Sequence, residues 1–491
     1  MNLYLQQEKK YCNTKFFPPC SMNRVVCTFL LWLVEGVEFN VNVMAGDGDN
    51  KTRVNLNSST NLDQETDIEV CDICIVPESS THLTVTTVLL YCKQKILNPY
   101  LRLLSFMGLR SLLNERESSF FLKVFNYFYT ATAILFMIIG YILQYMSCFR
   151  RDRGFWYVIT SDTRYTKTSV NAIFLETCEG SLIFTFVIPS ILHFAAYLHA
   201  IYVFRSGDDE QLPVLMERVF LITTNLSSSF ITQKKLVRTL WFYIIFSVLW
   251  MISCFAVVNF MMTVGNINFK WLEDDTTGSW GVWLMKILLV MCTLAHDMVQ
   301  ATIISNYCLQ AELLTNYALF LKEKLLQQSV VPLEWMREIE DFKKLLDYFN
   351  GKVAHSVCIL TIINISFSCS GLLWITNLDH IDRETLSGFS FSILNIALWC
   401  FIAVSPFIQA ARLSHACQKL KTSGQEARTR PYVHLDTPTI ELDSILLYTT
   451  SLSISGKLYF TSITGRRICL YMTIVAIILL VLGQCHYLVF K

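Results

Sequence analysis

The sequence predicts an all-α polytopic membrane protein. It should have seven transmembrane helices, a cytoplasmic N-terminus, an extracellular C-terminus and a helical anchor region on the cytoplasmic side. Three observations carry this expectation. Hydrophobic residues make up 53% of the 491 and charged residues only 16%, against roughly 25% charged in an ordinary soluble protein. Seven stretches approach the about 20 apolar residues that a bilayer core takes from one helix. Basic residues also collect in alternate connections, which marks the cytoplasmic side. The first partner implied is therefore the lipid bilayer, and the expected location is the plasma membrane. With 40 basic and 39 acidic residues, there is no positive excess to neutralise phosphates, so nucleic acid is not an expected partner.

Taken in order, residues 1–123 read as an N-terminal cytoplasmic region, polar and partly disordered over Gly46–Glu69. Its apolar run Val25–Val34 is too short to span, and reads as an interfacial segment or a signal segment. Residues 124–306 hold four spans: Phe125–Met146, Leu182–Phe204, Leu240–Met262 and Val282–Asn306. The fourth is the most polar, with Lys286, His296, Asp297 and Gln300. Asp297 is expected to reach the inner interface or a partner there. Residues 307–353 read as anchor helices. Leu309, Leu313, Tyr317 and Phe320 continue span four at helical spacing. Pro332 suits the first turn of a new helix, along which Leu333, Met336, Ile339, Phe342, Leu346 and Phe349 form an apolar stripe. Asn350-Gly351 should end that helix. Residues 354–409 hold spans five and six, Ser356–Ile375 and Phe389–Ile408. Residues 410–467 form a cytoplasmic loop, polar and flexible over Thr422–Pro438, with an amphipathic stretch at Ile440–Ile454. Residues 468–491 carry span seven, Ile468–Phe490.

The orientation rests on where the basic residues fall. The connections called cytoplasmic hold Arg102 to Lys123, Arg205 to Arg238, Lys322 to Lys352 and Arg412 to Arg467. The opposite side has Arg150, Arg151, Arg153, Arg164 and Lys167 in its first loop, then only Lys270, Arg383 and Lys491. Glycosylation sequons at Asn50, Asn57 and Asn225 lie on the side called cytoplasmic. Glycan mapping should find them bare; sugar on both Asn50 and Asn225 would reverse the topology.

No nucleotide-binding, serine-hydrolase or zinc-protease motif is present, so no enzyme is expected, and no cofactor. His193 and His199 are six apart and His296 and Asp297 adjacent, so each pair diverges around a helix and no metal site is expected. Of 17 cysteines, Cys148 and Cys178 sit at the outer ends of spans one and two. They form either a disulfide that staples the first outer loop or a free pair. The polar in-span residues Gln144, Asn259, Lys286, Asn364, Asn395 and Gln484 read mostly as interhelical hydrogen-bond formers, worth about a kcal/mol or less each.

His296-Asp297 followed by Tyr307, Gln310, Leu313 and Leu314 resembles the fourth helix and anchor extension of the insect gustatory and odorant receptor superfamily. Ser455-Gly456-Lys457-Leu458-Tyr459-Phe460 is similar to its pre-pore segment. Together with the inverted seven-span architecture, the resemblance covers residues 102 to 491. It implies four subunits, as a homo- or heterotetramer, around a pore lined by the last helix. Where gustatory receptors carry Thr-Tyr, five apolar residues and Gln-Phe, this chain has Ile477-Ile478 and then Gln484-Cys485. Only the glutamine is kept, which points to a divergent or receptor-like member. Val481 and Gln484 share a helix face, so four copies would place a hydrophobic gate beside a ring of amide dipoles. The resemblance also implies a pocket for a small organic ligand in the outer half of the bundle. Phe184, Phe186, Phe255, Asn259, Trp283, Trp374, Phe389 and Phe391 lie at matching depths.

The leading expectation is thus a chemosensory ligand-gated cation channel. The principal alternative is a receptor-like protein of the same fold without a pore. A G-protein-coupled receptor lacks support: no D-R-Y closes span three, no N-P-x-x-Y sits in span seven, and the charge asymmetry runs the other way. A transporter would call for a visible repeat or a charge pair at the midplane, and neither can be read from the spans.

Overall fold

A computed structural model describes residues 90, 92–111, 120–152, 182–206, 211–223, 229–264, 279–327, 331–376, 386–429, 438–459, 461–468, 470–471 and 474–475. Six helices among them are long and apolar enough to cross a membrane, and the chain is a multi-pass membrane protein. The segment Ile468–Phe490, with Val481 and Gln484, lies almost wholly outside the described residues.

After a π-helical turn at Cys92–Leu97, α1 runs over Asn98–Phe106. Next come α2 at Phe120–Met146, α3 at Ile188–Ser206 and α4 at Gln211–Thr223. They are followed by α5 at Ser229–Val264 and α6 at Ser279–Leu326. Beyond these lie α7 at Pro332–Tyr348, α8 at Ala354–Thr376, α9 at Leu386–Arg428 and α10 at Thr439–Ser451. A two-stranded hairpin follows, β1 at Lys457–Leu458 against β2 at Thr461–Ser462; no strand is expected from the sequence.

The hub is α6. It packs against α2, α4, α5, α7, α8 and α9. Its most apolar stretch is 72% buried, against 17% for α2. This explains why the most polar span in the sequence is a stable helix: His296, Asp297 and Gln300 meet protein rather than lipid. It also runs 48 residues without a break, as the apolar spacing past Asn306 predicts.

At its C-terminal end α6 packs against α7, and α9 packs against α10; these helix ends make up the anchor. Pro332 stands in the first turn of α7, where its missing N–H costs nothing. The buried face of α7 is Trp335, Ile339, Phe342, Leu346 and Phe349, while Leu333 is 62% exposed. The expected stripe is thus right in its second half and wrong at its start: Trp335, four residues before Ile339, holds the position assigned to Leu333 and Met336. The Trp335 indole N–H donates to the Leu321 carbonyl at 2.8 Å, and Phe342 meets Tyr317 edge-on. Ion pairs Lys324–Glu338 at 2.5 Å and Lys322–Glu426 at 2.7 Å tie the anchor helices together.

Two expected breaks do not occur. Asn350-Gly351 ends no helix; a π turn at Phe349–Val353 carries α7 directly into α8. The polar residues from Thr422 to Arg428 continue α9, because Gly424 lets α10 approach so closely that a Cβ would strike Thr449. The hairpin turn at Tyr459, in left-handed backbone (φ 52°), is pinned to α8. Its hydroxyl donates to the Cys358 carbonyl at 3.0 Å and its N–H donates to the Cys358 sulfur. Burial pushes the Tyr459 phenol up to about 12, so it remains a donor across the physiological range.

Candidate functional site

The site lies at the end of the bundle opposite the anchor. There α2 ends at Met146 and the chain reverses through Cys148, whose φ of 50° is left-handed. Residues 149–152 then fold back among the helices instead of leaving them. Phe149 is buried against Leu143, Val258, Leu289 and Cys292. Arg151 donates to the Asp297 carboxylate at 2.8 Å, and its second guanidinium nitrogen reaches the Thr293 carbonyl. The Arg151 carbonyl accepts from Asn395 at 2.9 Å and from the Trp399 indole at 3.2 Å. Asp152 is held by Arg150 at 2.9 Å and by the Ser370 hydroxyl at 2.6 Å. The returning segment is therefore held to α6, α8 and α9 by the side chains of Asp297, Ser370, Asn395 and Trp399.

This corrects two expectations. Asp297 does not reach the inner interface; it pairs at the opposite end with an arginine from the first loop. A charge pair is also buried in the bundle, although none can be read from the spans, because its cation comes from outside them.

Beside the pair lies an aromatic and histidine cluster. His296 stacks on Tyr141 with ring centroids 4.4 Å apart. Its Nε2 donates to the Met137 carbonyl at 3.0 Å, which leaves Nδ1 to accept from the Gln144 amide at 3.0 Å. Close approach of the two helices depends on Gly140, where a Cβ would stand 2.7 Å from His296 Cε1. The Tyr141 hydroxyl meets His193 Nδ1 at 2.6 Å. Gln300 donates to Asn364 at 2.5 Å. Either flip of the two amides leaves one Gln300 atom and one Asn364 atom buried without a partner. His193 Nε2, beside the His296 backbone, makes no hydrogen bond of good geometry.

These groups border a small cavity of about 30 Å³, closed further by Phe149, Phe186, Phe367 and Arg151. Such a space has room for a water but not for an organic molecule. Among the described residues, no group of His, Cys, Asp and Glu could hold a metal.

The candidate pocket residues are placed as follows. Phe186 lines the cavity and meets Tyr145 edge-on. Phe184 is 73% exposed, and Trp283 is half exposed and stacks on Trp280. Asn259 donates to the Phe255 carbonyl within its own helix. Phe391 stacks on Phe260 at 3.6 Å, and Trp374 is buried. The side chain of Phe389 lies outside the described residues. Tyr141, His193, His296 and Gln300 belong to the cluster without having been assigned to it by sequence. Cys148 is disulfide-bonded, and Cys178 lies outside the described residues.

No family model matches the chain, and no curated relative is found. Its fold matches two solved structures of the insect olfactory receptor OR5 from Machilis hrabei. The first has a TM-score of 0.54 at 11% identity and covers 81% of this chain and 99% of that one. The second, in complex with eugenol, has a TM-score of 0.50 at 11% identity and covers 82% and 97%. The chain has the all-helical fold of the insect olfactory receptors.

Proposed function

We propose that this protein is a chemosensory receptor of the insect gustatory and odorant receptor superfamily, acting in the plasma membrane as a ligand-gated cation channel. The likeness of fold over 81% of this chain and 99% of an olfactory receptor supports the reading most directly. The anchor end faces the cytoplasm, following the basic residues. Four copies assemble, with Val481 as gate and Gln484 as filter on the last helix. On the anchor helices, Val331, Leu333, Ile440 and Leu447 are exposed apolar side chains, of the kind that mark a protein contact.

The ligand is a small organic molecule, as eugenol is for the olfactory receptor of like fold. It binds in the outer-half cluster, with Tyr141, Phe186 and Phe367 as apolar walls and the spare amide atom of Gln300 as polar contact. At about 30 Å³ the cavity is closed to it, so binding requires Phe149–Asp152 to withdraw. A ligand that binds only the withdrawn state shifts the equilibrium toward it, which couples occupancy to movement of the helices around α6.

Whole-cell recording from cells expressing the chain, with a panel of small aromatics starting from eugenol, tests this. The expected result is a ligand-evoked cation current whose selectivity changes in Gln484→Ala and which leaks without ligand in Val481→Ala. Currents unchanged in both variants would remove the pore assignment. The departures at Ile477, Ile478 and Cys485 favour, as second reading, a receptor-like protein without a pore. A monomer in detergent together with silent cells would establish that alternative.

A further inference from the structure

A second, larger cavity lies on the anchor side of the bundle, between α5, α6 and α9. Its volume is about 190 Å³, above the about 150 Å³ at which an apolar cavity takes up a benzene ring. Its walls are almost wholly apolar, with Trp250, Ala301, Ile304 and Ile402 deepest in the fold. It opens sideways: Phe242, Phe401 and Ile408 line it and are 61%, 48% and 50% exposed. Inside this cleft the α9 ladder is broken. Pro406 supplies no N–H to the Ile402 carbonyl, and the Ser405 hydroxyl reaches that carbonyl only at 3.4 Å.

The mouth of the cleft lies at the edge of the apolar zone. Arg412 is the first charge on α9 after an uncharged run from Leu386 to Ala411, and Arg238 is the last charge on α5 before one from Thr239 to Val264. Arg412 lines the cavity. It is held by Glu312 at 2.8 Å and by the Tyr243 hydroxyl at 2.9 Å, yet its side chain stays 47% exposed. On α5, Lys235 and Arg238 are exposed, seven and four residues before Phe242 and so on its face. On α9, His415 and Lys419 are exposed on the turns after Arg412. An arginine that simply reached for water from an apolar helix would explain Arg412 alone. It would not explain an apolar cavity of this size opening to lipid directly above a basic strip drawn from two helices.

We propose that this cleft is a phospholipid site, in which part of an acyl chain occupies the cavity and an anionic headgroup rests on Arg412, Arg238 and Lys235. A lipid of the anchor-side leaflet suits the lateral opening, the depth and the sign of charge together. The site is separate from the outer-half cluster and does not depend on the ligand proposed there.

The test uses the full chain in nanodiscs of phosphatidylcholine with a minor fraction of a photoreactive-chain lipid, either phosphatidylcholine or phosphatidylserine. Peptide mass spectrometry locates the adducts. The expected result is adducts concentrated on the cleft residues of α5 and α9, with preference for phosphatidylserine. Lys235→Gln and Arg238→Gln, both on the surface, should each reduce that preference about fivefold. Ser405→Trp, filling the cavity, should remove the cleft adducts while leaving those on the exposed face of α2. Adducts spread evenly over the lipid-facing helices, or cleft labelling equal for both headgroups and unmoved by the lysine and arginine variants, would overturn the proposal.

Discussion

Asp297→Ala is expected to destabilise the folded chain by about 3–5 kcal/mol, the cost of leaving a buried partner charge uncompensated. The Arg151 and Asp297 side chains are only 10% and 4% exposed and 2.8 Å apart. Deleting the carboxylate therefore leaves a largely buried guanidinium without its counter-charge, and it cannot lose its proton. The loss should extend beyond one contact. The same residue's carbonyl carries the bonds from Asn395 and Trp399, so withdrawal of Arg151 releases the attachment of the loop to α9. The apolar double variant Arg151→Met with Asp297→Leu should recover most of the stability, since replacing both charges by well-packed apolar groups is often neutral. Thermal midpoints in detergent, read by fluorescence-detected size exclusion, measure this. A single variant as stable as the parent, or a double variant no better than the single, would show that the pair does not hold the loop in place. If withdrawal of Phe149–Asp152 is the step that admits ligand, Asp297→Ala should also respond to lower ligand concentrations, because the cost of opening has been partly met in advance.

That pair also marks the limit of what the sequence discloses. The helices were legible because lipid and water impose a strong periodic and compositional signal, and the positions of six spans followed from it. The long run of α6 was legible for the same reason. The site was less so. Gln144, Asn364 and Asn395 were readable as interhelical hydrogen-bond formers, and they bond His296, Gln300 and the Arg151 carbonyl. Their partners were not readable, because pairing across helices leaves no mark on either helix alone. Arg151 reads as a loop cation, and only the left-handed turn at Cys148 sends it inward. The aromatic residues illustrate the converse. Matching depth brings Phe184 and Phe186 forward equally, but two apart on the π-helical turn Ile183–Val187 they face nearly opposite ways. Phe186 accordingly lines the cavity while Phe184 faces outward. Depth is a property of sequence position; which neighbour a face meets is decided by tertiary packing.

Trp335→Ala and Leu333→Ala separate two accounts of the anchor that the sequence alone leaves equivalent. The even apolar stripe starting at Leu333 would make both residues matter alike. The structure makes them opposites: Trp335 is fully buried with its indole bonded to the α6 backbone, and Leu333 is mostly exposed. Trp335→Ala removes a large buried side chain and leaves a cavity under α7, which costs about 3–5 kcal/mol. Leu333→Ala should stay within about 0.5 kcal/mol. Hydrogen exchange of peptides from the end of α6 and from α7 reads the difference locally: protection should fall sharply in the tryptophan variant and stay unchanged in the leucine variant. Equal effects would restore the even stripe and displace the packing described here. Leu333 gains a second use if the proposed assembly is correct. An exposed leucine next to exposed Val331 adds little to the stability of one chain, so Leu333→Glu should leave the exchange pattern of the isolated subunit intact while shifting the detergent species toward monomer. The same substitution at the buried Trp335 would disrupt both, which is why the pair, rather than either variant alone, distinguishes a residue that builds the anchor from one that joins anchors to each other.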